Sequence, residues 1–173
     1  MLKLAPAGVG EYQKIAELYE RAFPPEERRP LETFFTDSSG CASLLSSFLD
    51  DSFCGFVCAL RWQDLLHIIY FAVEEDLRGK GLGSEILRQL HAENPGMRVL
   101  VDIEEPTPSS ENYAQRLKRK LFYLRNGYGE TEIHYRWRTV DYTILSHGGP
   151  VTNEEFDAFW DAVTAAMPRL REY

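Results

Sequence analysis

The stretch Arg78-Gly79-Lys80-Gly81-Leu82-Gly83 constrains the fold of this chain more than any other. It joins an apolar run, Leu65 to Val73, to an amphipathic run that begins at Leu82. A near-continuous apolar run of that length reads as a strand buried on both faces. Three glycines at a strand-to-helix junction leave backbone N–H groups unhindered, and the helix dipole makes that junction electropositive. Arg78 and Lys80 add formal charge. The junction is suited to holding phosphate, although a glycine-rich turn without a ligand accounts for the same residues.

Other glycine-rich loops fit less well. A nucleotide P-loop requires G-x-x-x-x-G-K-[ST], and here Gly83 is followed by Ser84 and Glu85. The dinucleotide fingerprint G-x-G-x-x-G finds Gly79 and Gly81, and Asp102 near the end of the next apolar run supplies an acidic partner. Its third glycine position holds Ser84 instead. Glu74-Glu75-Asp76 also separates strand from loop, where the dinucleotide turn is tight.

Arg-x-x-Gly-x-Gly at such a junction resembles the acetyl-CoA-binding motif of the GCN5-related N-acetyltransferases (GNAT). The approach Val73-Glu74-Glu75-Asp76-Leu77-Arg78 is similar to the family's. Downstream, Phe122-Tyr123-Leu124-Arg125-Asn126-Gly127-Tyr128 resembles the Phe-Tyr-x-x-x-Gly-Phe segment that ends the family's fourth helix, with Tyr128 in place of the commoner Phe. Asn126-Gly127 is independently a strong helix stop. The resemblance covers residues 65 to 138 by motif and the first 60 by pattern.

Composition bounds the rest. A chain of 173 residues with 44% hydrophobic residues reads as one domain able to bury a core. We expect a single domain over residues 1–173, its core ending at about 147 and a helical extension following from about 150. A net charge of −8 argues against nucleic acid as a partner and mildly favours cationic substrates. No membrane span or signal-peptide core is visible, so a cytoplasmic location is expected. Cys41, Cys54 and Cys58 show no disulfide or metal spacing, and His67, His91, His134 and His147 are scattered.

Periodicity gives the element order β-α-α-β-β-β-α-β-α-β-β, followed by one more helix. The expected segments are a strand at Leu2–Ala5, helices at Glu11–Phe23 and Pro30–Phe35, and a hairpin of Cys41–Leu49 and Phe53–Trp62 turning at Asp50-Asp51-Ser52. Then come a strand at Leu65–Val73, a helix at Leu82–Glu93, a strand at Met97–Glu104 and a helix at Ser110–Asn126. A strand pair at Glu130–Thr139 and Tyr142–His147 follows. The last helix, Thr152–Ala166, carries a capping box of Thr152 and Glu155. This is also the order of the fold the resemblance implies: an α/β (α+β) chain with a mixed, mostly antiparallel central sheet flanked by helices, plus an added C-terminal helix.

The resemblance implies an acetyl-CoA-dependent N-acetyltransferase working by direct attack in a ternary complex. Phe71, Ala72 and Val73 would then bind the pantetheine arm. An N–H near Val73 would polarise the thioester carbonyl, an effect worth about 3 kcal/mol per donor. Arg78, Gly79, Lys80, Gly81, Leu82, Gly83 and Ser84 would hold the pyrophosphate. Tyr123 matches the family's general acid; a phenol of pKa about 10 can protonate a thiolate of pKa about 8.5. It equally suits an aromatic packed at a helix end.

The base is less sharply marked. Asp102 and Glu104 alternate on one face of a strand otherwise rich in Val, Leu and Ile. Glu104 is the candidate base, and Asp102 a candidate acceptor-binding group. Solvation at the strand end, or pairing, accounts for either one; His67 and Tyr70 are weaker candidates. In Pro24-Pro25-Glu26-Glu27-Arg28-Arg29-Pro30, Glu27 or its neighbour would select an ammonium, or is simply solvated. Lys118, Arg119 and Lys120 either reach a cofactor phosphate or face solvent. The acceptor is expected to be a small-molecule or peptide amine, and a homodimer through an exposed final strand stays open. Two other functions fit the same residues: a non-catalytic acyl-CoA-binding module and a dinucleotide-dependent oxidoreductase.

Overall fold

Seven strands, β1 (Leu2–Pro6), β2 (Ala42–Leu49), β3 (Ser52–Trp62), β4 (Leu65–Val73), β5 (Arg98–Glu104), β6 (Gly129–Trp137) and β7 (Val140–His147), form one sheet in the computed structural model, which describes residues 1–172. The sheet order is β1-β2-β3-β4-β5-β7-β6, and every neighbouring pair is antiparallel except β4 and β5. Five helices flank it: α1 (Val9–Ala22), α2 (Glu32–Phe35), α3 (Leu82–Glu93), α4 (Tyr113–Arg125) and α5 (Asn153–Ala166). The mixed, mostly antiparallel sheet and the order of its elements are those expected from the sequence.

Each face of the sheet carries its own core. Ile15, Leu18 and Phe34 of α1 and α2 join Phe156, Phe159 and Val163 of α5 on one face. Ile86, Leu87 and Leu90 of α3 and Tyr123 of α4 lie on the other. The C-terminal helix therefore closes one face, with Phe159 wholly buried. Its start is fixed as the sequence implies: Glu155 N–H donates to Thr152 Oγ1 at 3.2 Å, and Thr152 N–H donates back to the Glu155 carboxylate at 2.9 Å. The three thiols are unpaired, and no helix among the described residues is long and apolar enough to cross a membrane.

Most element boundaries shift by one to three residues from expectation, two of them for clear local reasons. The hairpin turn uses Asp50 and Asp51, both left-handed at φ 48° and 64°, so Ser52 already belongs to β3. Helix α4 starts at Tyr113 rather than Ser110, because Ser110 donates its hydroxyl to the Thr107 carbonyl at 2.6 Å and closes a separate turn first.

The feature that positions the site is a bulge. Cys58 of β3 pairs with Tyr70 and Ala59 with Ile68, which leaves Ile69 as an extra residue in β4. Pairing of β4 with β5 runs from Leu65↔Arg98 to Ile68↔Val101 and stops there. Beyond the bulge the two parallel strands diverge.

Candidate active site

The diverging strands open a cleft of about 620 Å³, lined by Phe71 to Val73 of β4, Asp102 of β5, the glycine loop and one side of α4. Glu74 N–H donates to the Cys54 carbonyl at 2.9 Å, toward β3. Alternation along the strand then turns the N–H groups of Phe71 and Val73 to the opposite edge, onto the cleft. The Val73 carbonyl on that edge accepts from Arg78 Nε at 2.9 Å, so Arg78 braces the loop against the strand. Lys80 similarly donates to the Asp76 carbonyl at 2.9 Å.

Gly79 and Gly81 adopt φ 75° and 83°, a left-handed backbone that favours glycine, and a Cβ at either would point into open space. Gly81 caps α3 without any side-chain hydrogen bond, so the first-turn N–H groups of Leu82, Gly83 and Ser84 are left to an outside acceptor. At Gly83 the constraint is proximity: a Cβ would come within 3.3 Å of Phe122 Cζ. A glycine there lets α3 approach α4. Loop, dipole and amides together give the mouth of the cleft a positive potential that suits an anion.

Helix α4 supplies the opposite wall. Gln115, Lys118, Arg119, Phe122 and Tyr123 line the cleft, one helical stripe spaced three or four apart. Lys120 points away and pairs with Glu130 at 2.9 Å. The basic run thus divides: two members face the cleft and one does not. Tyr123 is 7% exposed, packed edge-on against Phe122 and Tyr128 with centroids 5.2 Å apart. Its hydroxyl has no hydrogen-bond partner among the described residues, yet it opens on the cleft. Burial pushes its pKa up to about 12, with the Arg119 charge opposing and the Asp102 carboxylate adding. It keeps its proton at any physiological pH.

The other three sequence candidates lie across the sheet from Tyr123. Asp102 accepts from the buried His67 imidazole at 2.9 Å, and its charge helps to raise the pKa of the buried Tyr135 phenol. Glu104, 7% exposed, lies 3.0 Å from Arg116 Nε, whose N–H is not aimed at it, and accepts from Asn112 at 3.3 Å. Its carboxyl lies near enough to that of Glu27 to couple with it. Desolvation first, then the Glu104 charge, push the Glu27 pKa up to about 7 against the pull of Arg119. The loop bearing Glu27 is held by two core phenols. Tyr70 donates to the Glu27 carbonyl at 3.0 Å, and Tyr19 to the Arg29 carbonyl at 2.8 Å.

Residues 12–118 match the model of the Acetyltransferase (GNAT) family. This chain belongs to the GNAT family. Solved structures agree on the fold. A putative GNAT acetyltransferase from Bacteroides thetaiotaomicron is 24% identical, with 94% of this chain and 96% of that chain covered and a TM-score of 0.78. Arabidopsis thaliana Naa50, in complex with the bisubstrate analogue CoA-Ac-MVNAL, is 16% identical over 84% of this chain and 97% of that one, with a TM-score of 0.61. A GNAT acetyltransferase from Elizabethkingia anophelis with acetyl-CoA bound is 14% identical over 84% and 97%, with a TM-score of 0.57. Among curated proteins none matches.

In this GNAT chain the sequence candidates fall into two groups. Phe71 to Val73, the 78–84 loop and Tyr123 border the cleft from the α3 and α4 side. Asp102, Glu104 and Glu27 gather on the α1 and α5 side. Sequence reasoning missed Tyr135, Tyr142, Trp137 and Trp160, which surround the second group. The helical phase of α4 was the one available signal for Gln115, Lys118 and Arg119 as a facing set.

Proposed function

We infer that this GNAT protein transfers an acetyl group from acetyl-CoA to an amine within a ternary complex. The observation that carries the reading is the free hydroxyl of Tyr123 opening on the same cleft as the open amides of β4 and the glycine loop. The residues fit the donor. Unpartnered first-turn amides of α3, the left-handed glycines and Lys118 suit a pyrophosphate, and the free edge of β4 suits an extended amide-bearing arm. Bound there, acetyl-CoA supplies an activated acyl group with a thiolate as leaving group.

The chain's own groups account for the remaining needs. The N–H of Val73 stands where negative charge develops on the carbonyl oxygen, as an oxyanion-type donor. The Glu27–Glu104 pair, tuned to about 7 at Glu27, takes the proton that the attacking amine must lose. Tyr123 gives its proton to the departing sulfur as the C–S bond breaks and the N–C bond forms. Proton uptake and proton release are thus assigned to opposite faces of the sheet.

Calorimetric titration with acetyl-CoA, with NADH and ATP as controls, tests the donor. Thiol release in the presence of an amine panel tests transfer. Micromolar binding of acetyl-CoA alone, with amine-dependent thiol release, is the expected result. Binding without release would leave an acyl-CoA-binding module, and no binding would overturn the reading.

A further inference from the structure

Arg29 is a cation without an anion. Its side chain forms no ion pair and no hydrogen bond among the described residues, and its Nε is out of solvent with no partner. The guanidinium carbon lies 4.4 Å from the centre of the Trp137 ring and 5.7 Å from that of Trp160. Arg138 covers the same Trp137 ring at 4.3 Å, but it is exposed and donates to the Glu26 carbonyl. A guanidinium has five N–H donors, and a buried donor left unmade is costly. Stacking on indoles orients the group without satisfying a single N–H.

The position is fixed rather than incidental. Arg29 N–H donates to the Tyr70 hydroxyl at 2.9 Å and to the Tyr19 hydroxyl at 3.0 Å, and its carbonyl accepts from Tyr19. Those two phenols tie the backbone that also presents Glu27, two residues earlier. The Arg29 charge reaches the Tyr135 phenol, which also feels the charge of Asp102 on the cleft wall. Two carboxylates of the same region have other partners: Asp102 the His67 imidazole, and Glu104 Arg116 and Asn112.

We propose that Arg29 receives a carboxylate of the acceptor, so that the acceptor is an amino carboxylic acid rather than a simple amine. This rests on the N-acetyltransferase reading above and names its substrate class. Glu27 and Glu104 face the amine, and Arg29, from the same short loop, faces the acid group. The planar fork matches a carboxylate in two parallel hydrogen bonds.

The test uses acetyl-CoA with free amino acids, their carboxamides and the corresponding decarboxylated amines, and short peptides that retain a carboxylate. Purified wild type, R29Q and R29K are compared after their melting temperatures establish that each is folded. The expected result is turnover of acids with kcat/KM about 10- to 100-fold above that of the matching amides, the range a lost charged hydrogen bond implies. R29Q should bring that ratio to about one through the acid's KM, and R29K should retain part of it. Free acids exceeding peptides would identify a small-molecule acceptor, and the reverse a peptide one; either supports the assignment. Amides turned over as well as acids, an unchanged ratio in R29Q, or no acid acetylated by protein that binds acetyl-CoA would each overturn it while leaving the donor site standing. Protein that does not bind acetyl-CoA would overturn both.

Discussion

The Glu27 carboxyl, from the loop after α1, lies near enough to that of Glu104, at the end of β5, for the Glu104 charge to push its pKa up. One proton relieves the repulsion between them, and the Arg116 guanidinium beside Glu104 favours leaving that proton on Glu27. The pair accepts a second proton-transfer role only after losing the first. We expect kcat/KM for the acceptor to rise with pH through about 7 and then level off, with no loss from Tyr123 until far above the physiological range. E27Q should abolish that ionisation and lower turnover by about 10²- to 10⁴-fold. A pH profile of each protein checks both.

The same carboxyl links pH to stability. Its folded pKa is raised to about 7 from an ordinary 4.5, so between those values the folded chain holds more protons than the unfolded one. Folding stability from this group is fully present below about pH 4.5 and is lost as pH rises through about 7. The Tm of E27Q should therefore fall less between pH 5 and pH 8 than that of the parent chain. Thermal melts at the two pH values measure the difference.

Tyr123→Phe removes one oxygen whose only outlet is the cleft. Turnover should drop by about 10²-fold or more, while the acetyl-CoA affinity in calorimetry stays near the parent value. An unchanged turnover would return Tyr123 to a packing role against Phe122 and Tyr128.

Gly81→Ala puts a side chain on a residue at φ 83°, a strain of about 1–2 kcal/mol. The Tm should fall by several degrees. No protein atom lies within 4 Å of the new methyl group, so a loss of acetyl-CoA affinity in folded G81A would report contact with the ligand itself.

Lys118→Ala and Lys120→Ala form a matched pair. K118A removes a charge that faces the cleft and should weaken acetyl-CoA binding several-fold at low salt, an effect that fades as salt screens it. K120A breaks only the pair with Glu130 and should leave binding unchanged. Titrations at two ionic strengths separate them.

The glycine-loop side of the cleft was legible because its demands fall on residue type at close spacing. A left-handed backbone asks for Gly79 and Gly81, and a helix stop asks for Asn126-Gly127 one turn after Tyr123. Glu27, Asp102 and Glu104 stood out singly in the sequence, but their surroundings were not legible, because they are assembled from distant pieces. Arg29 meets Trp137 and Trp160, and Glu27 meets Glu104, only after β4 to β7 and α5 are in place. Nothing in Glu26-Glu27-Arg28-Arg29 separates the members that turn inward from those that face solvent; Tyr19 and Tyr70 decide that through the backbone. Likewise, only the phase of α4 divides Lys118 from Lys120.

The bulge in β4 has a simple arithmetic. From Leu65 to Ile68 side chains alternate between the two faces of the sheet, and from Tyr70 to Val73 they alternate again; Ile69 and Tyr70 both turn to the α1 and α5 side. Striking out Ile69 alone would leave every other residue of the strand on the face it now occupies, with an unbroken alternation from end to end. The strand could then stay zipped to β5 along its length without disturbing either core. An open-mouthed sheet and a shut one therefore differ, in this chain, by one codon's worth of backbone.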